Sequence, residues 1–70
     1  MMPIMLSDVG EEIIIRKVGG SPEIKKHLED LGFVVGSVVS VLSTNDSGLI
    51  VKVKESRIAL SREMAAKIMI

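Results

Sequence analysis

Seventy residues, with nine basic and nine acidic side chains, one histidine and no cysteine, make one small domain. Disulfides, thiolate metal sites and a cysteine nucleophile are excluded. The balanced charge leaves no net field to attract nucleic acid or anionic lipid. The single Phe and the lack of Trp and Tyr make the core aliphatic. No apolar run approaches the ~20 residues of a spanning helix, and the opening MMPIMLSDVGEE has no basic n-region. The chain therefore reads as a soluble cytoplasmic domain, residues 1–70, with no direct membrane insertion.

Leu6-Ser7-Asp8-Val9-Gly10 reads as a short helical turn capped by Ser7 and left through Gly10. Glu11 to Val18 follows as a strand, rich in β-branched residues at Ile13, Ile14, Ile15 and Val18. Gly19-Gly20 ends it. Ser21 is placed to cap a helix that has Pro22 in its first position and Glu23 near its positive end. Ile24, Leu28 and Leu31 share one face of that helix, and Lys25, Lys26, Glu29 and Asp30 point away.

Gly32 sits just past Leu31, where a helix commonly ends in a left-handed residue, and Phe33 then falls against Leu28 as in a Schellman motif. Gly36 supplies a positive φ in the turn that opens the next strand, Ser37 to Leu42. The adjacent Val38 and Val39 suggest burial on both faces or strong twist. Thr44-Asn45-Asp46-Ser47-Gly48 is a hairpin loop. In Leu49 to Lys54, Leu49, Val51 and Val53 face inward and Ile50, Lys52 and Lys54 outward. After a turn at Glu55-Ser56, Arg57 to Leu60 forms a strand with Ile58 and Leu60 inward. Ser61 caps a last helix through Lys67, and Ile68 to Ile70 closes the sheet. Short antiparallel strands at hairpin spacing predict a mainly β fold with short helices, closed as a small barrel.

Catalytic chemistry finds no constellation. A Ser–His pair would need His27, which belongs to a charged helical face. Gly19-Gly20 before a helix resembles an anion cradle, yet it lacks the lysine and hydroxyl residue of a phosphate loop. Glu23 and His27, one turn apart with Asp30 three residues further on, are the candidate metal ligands. Such a set would hold a divalent transition metal, Fe2+ or Zn2+, only loosely, with water or a second chain of a homo-oligomer completing the shell; the alternative is a solvated histidine among surface charges. Lys52, Lys54 and Arg57 make a modest basic patch, but the missing aromatics argue against nucleic acid and proline-rich peptides. The five methionines supply adaptable apolar surface. These residues point to a module that binds a protein.

The segment LEDLGFVVGSVVSVL, a polar turn and LIVKVKESRIALSREMAAKIMI, preceded by MLSDVGEEIIIRKVGG, resemble FeoA, the small cytosolic component of bacterial ferrous iron transport. Leu28 to Gly36 and Ile58 to Ala65 carry the resemblance most specifically. It implies an SH3-like barrel similar to the C-terminal domain of iron-dependent repressors. It also implies a non-enzymatic accessory, with no required cofactor, acting on the cytoplasmic side of the membrane transporter FeoB. The alternative it leaves is a stand-alone metal-sensing domain related to those repressors. In either case Gly32 and Gly36 are structural turn residues.

Overall fold

In a computed structural model describing residues 1–70, a 3-10 turn at Ile4–Leu6 precedes strands β1 (Glu12–Ile14) and β2 (Lys17–Val18). Helix α1 (Pro22–Asp30), strands β3 (Val38–Asn45), β4 (Gly48–Val53) and β5 (Ser56–Ser61), helix α2 (Arg62–Ala65) and strand β6 (Ile68–Met69) follow. One antiparallel sheet has the order β1-β3-β4-β5, and a second ladder pairs β2 with β6. Met2 and Ile70 exchange backbone hydrogen bonds of 3.0 and 2.8 Å, so the N-terminal residues flank β6 on its other side. The strands thus wrap the core as two ladders rather than one continuous ring.

The single strand expected over Glu11–Val18 divides because its neighbour changes. The Ile15 N–H donates to the Ser37 carbonyl at 3.0 Å, and the next amide, Arg16, donates to Met69 at 2.8 Å on the opposite side. Successive amides of an extended chain point in opposite directions, so one run of β-branched residues serves both ladders. The first turn also lies earlier than expected, at Ile4–Leu6, with Ser7 following it. The Ser7 hydroxyl donates back to the Ile4 carbonyl at 2.9 Å.

Both helix caps follow the sequence. Ser21 Oγ accepts from the Ile24 amide and Ser61 Oγ from the Met64 amide. The second helix ends at Ala65 rather than Lys67, because Ile68 is drawn into pairing with Val18. At the end of α1, Gly32 has φ +105°. The Gly32 amide donates to Glu29 and the Phe33 amide to Leu28, both at 2.9 Å, which is the hydrogen-bond pair of a Schellman motif. Gly36, at φ +93°, donates to the Ile15 carbonyl at 2.8 Å and aims the chain into β3.

The hairpin between β3 and β4 is tighter than the five-residue loop expected. Asn45 pairs with Gly48 across a two-residue turn, and its Oδ1 accepts from the Ser47 and Gly48 amides at 2.7 and 3.0 Å. Further along β3 the register shifts between Val41 and Ser43, leaving Leu42 unpaired, which increases local twist. Before that shift the strand alternates plainly, with Val38 exposed and Val39 and Val41 buried. Val38 is therefore a surface residue, not part of a two-sided core.

The core is one cluster including Ile4, Ile15, Leu28, Phe33, Val51 and Ile68, each fully buried. Fully burying each such side chain stabilises the fold by about 1.5–3 kcal/mol. No polar or charged side chain is buried, so none of this is offset by desolvated charge.

Candidate functional site

Glu23 and His27 lie one turn apart on α1 and are exposed, as is Asp30 at its last position. Nothing from another element joins them. No group of three or more histidine, cysteine, aspartate or glutamate side chains gathers anywhere in the fold. Two exposed ligands on one helix, free to exchange with water, are a poor match to a closed transition-metal shell. In the glycine pair before α1, Gly19 is committed to folding. The Gly19 amide donates to the Lys67 carbonyl at 2.7 Å, so it does not turn outward to an anion.

The four-stranded sheet brings together a set of residues that no sequence motif contains. Glu12, Ser40, Lys52 and Arg57 are successive register partners across β1, β3, β4 and β5, so all four stand on one face. The buried residues Val39, Val51, Val53 and Leu60 occupy the opposite face. Beside that row, Ile14 is the register partner of Val38. The two side chains are 50% and 51% exposed, a pair of β-branched residues standing opposite each other on the outer face. Ser40 is small, and it leaves a groove of about 380 Å³ lined by Glu12, Val38, Ser40, Lys52 and Lys54.

The outer positions of Lys52 and Ile50 agree with the alternation read from the sequence, whereas Lys54 falls with Glu55 in the turn between β4 and β5, at φ +55°, and Ser56 already belongs to β5. Ile14 and Val38 were not separable from the core by that reading, since both sit in runs of apolar residues. The adjacent Glu11 and Glu12 gave no signal of parity, since one is odd-numbered and the other even.

A family model for the FeoA domain matches residues 2–70. The chain belongs to the FeoA domain family. It is 31% identical over 70 residues to a Methanocaldococcus jannaschii protein named for Fe(2+) transport, covering 100% of this chain and 85% of that one. Among solved structures, the Stenotrophomonas maltophilia FeoA, solved with zinc and described as a prokaryotic SH3 domain protein, superposes with a TM-score of 0.83. That match is 23% identical and covers 99% of this chain and 88% of the other. A manganese-dependent transcriptional repressor contains the same fold within a longer chain, with a TM-score of 0.84 and 14% identity, over 94% of this chain and 38% of the repressor. At these identities the two structures bear on the fold alone, and the SH3-like fold is the one expected. No helix of this FeoA-family chain is long and apolar enough to cross a membrane.

Proposed function

We propose that the protein is a non-enzymatic, cytoplasmic accessory of ferrous iron transport that binds the cytoplasmic part of a FeoB-type transporter and modulates it. The observation that carries this reading is the FeoA match over residues 2–70, supported by the Fe(2+) transport name of its M. jannaschii relative. The geometry agrees with a binding module. Its polar side chains cap helices and turns, and its exposed apolar residues Ile14, Val35 and Val38 are of a kind that protein partners cover. Iron is cargo in this reading, handled by the transporter, and the protein requires no resident cofactor.

The test is affinity capture of the transporter from solubilised membranes of the source organism, with iron uptake measured in the presence and absence of the gene. Recovery of a FeoB-type transporter and reduced uptake on deletion are expected. Unchanged uptake with no transporter recovered would overturn the reading.

A second reading is favoured by the shared fold of the manganese-dependent repressor and by the zinc in the S. maltophilia structure. In it the domain senses a transition metal on its own, with Glu23 and His27 as ligands. It requires metal to change the protein's behaviour with no transporter present, and a metal-dependent change in oligomeric state would mark it.

A further inference from the structure

From the outer face of the four-stranded sheet we infer a docking site for an acidic, partly apolar segment of a protein partner. The inference rests on the transporter reading above and names the surface and chemistry through which the contact is made. Lys52 and Arg57 are register partners, and Lys54 joins Lys52 in lining the adjoining groove. None of the side-chain hydrogen bonds in the fold involves these three residues, so their donors are free for an incoming acceptor. Glu12, in the same row and lining the same groove, and Glu55, in the turn beside Lys54, are the acidic residues that accompany them. The local balance on the face is therefore positive, although the whole chain is neutral.

Two features select a protein segment over a polyanion. Ile14 and Val38, each half exposed, flank the basic row and offer apolar area that a phosphate backbone would not use. The face has no aromatic side chain on which a base could stack, since the chain's single aromatic, Phe33, is fully buried. A carboxylate-bearing segment with one or two aliphatic side chains fits both halves. Its apolar groups would cover Ile14 and Val38 over the hollow at Ser40, and its carboxylates would meet Lys52, Lys54 and Arg57. Charges at such a rim govern encounter rate and orientation, and apolar cover governs residence time.

The experiment measures binding of the purified chain to the full-length FeoB-type transporter of the same organism in nanodiscs, at about 50 and 300 mM salt. The variants are K52E/K54E/R57E on the face, V38S beside it and K25E/K26E on α1 as a control. All six positions are exposed, and thermal melts verify that each variant is folded. The expected result is at least about tenfold weaker binding for the triple variant, with most of the salt dependence gone. V38S weakens binding at both salt concentrations, and the control stays within about twofold of wild type. Equal binding by the triple variant and wild type would overturn the face assignment and leave the transporter reading intact. No binding by wild type would remove the transporter reading, and this inference with it. If the triple substitution instead abolishes binding to a duplex oligonucleotide, or dissociates a homodimer seen by sedimentation, the face serves nucleic acid or a second copy, and the acidic segment is rejected.

Discussion

The Phe33 amide donates to the Leu28 carbonyl at 2.9 Å, and both side chains are fully buried. A single relationship thus stops α1, turns the chain and seats the one aromatic residue in the core. It depends on Gly32 between them, because an L side chain at φ +105° is strained. A Cβ there would also stand 2.8 Å from Val53 Cγ1. Gly36 has a similar φ, but the space around it is open.

The two glycines should therefore differ under substitution. Gly32→Val is expected to cost about 2–4 kcal/mol, from backbone strain plus overpacking. Gly36→Val should cost about 1–3 kcal/mol from strain alone. Chemical denaturation of both variants checks the order, and equal stability of Gly32→Val and wild type would contradict the cap geometry.

Gly48 is constrained by contact as well as by its φ of +157°. A Cβ built on it would collide with the Leu60 carbonyl oxygen of β5, and backbone atoms cannot give way cheaply. Gly48→Ala is expected to separate the ends of β4 and β5 and lower stability by roughly 2 kcal/mol or more. For a domain this small, that corresponds to a melting temperature lower by about 8 °C or more. A melt within a degree or two of wild type would mean that the strands are not this close.

Ferrous iron should bind the isolated protein no more tightly than a pair of exposed ligands allows. Anaerobic titration calorimetry is expected to show no stoichiometric submicromolar site, and His27→Ala should change the isotherm little. A tight site lost in His27→Ala would overturn this, and it would shift the balance toward the metal-sensing reading.

Much of the local architecture was legible because single residues enforce it. Ser21, Pro22 and Gly32 bracket α1 by hydrogen bonds they make or permit, and the alternation in Leu49–Val53 maps directly onto one buried and one exposed face. The division between β1 and β2 was not legible. Ile13, Ile14 and Ile15 have the same strand propensity, whereas their burial depends on which distant strand each meets. The two-residue turn was hidden for a related reason: Asn45 and Gly48 are turn formers by composition, but here they form the last rung of the ladder. The docking face was legible only in fragments. Lys52 and Lys54 announced an outer surface, but the row from Glu12 to Arg57 follows from pairing register, which composition does not encode.

The hydrogen bonds between Met2 and Ile70 have a consequence for the order in which the molecule assembles. They close a loop of nearly the whole chain, while the Asn45–Gly48 rung closes a loop of four residues. The difference in closure entropy is roughly 2–3 kcal/mol, so the meander of β3, β4 and β5 should zip early and the union of the two ends come last. Pulse-labelled hydrogen exchange during refolding should protect the Val51 amide before those of Arg16 and Ile70; the reverse order would refute this sequence of events.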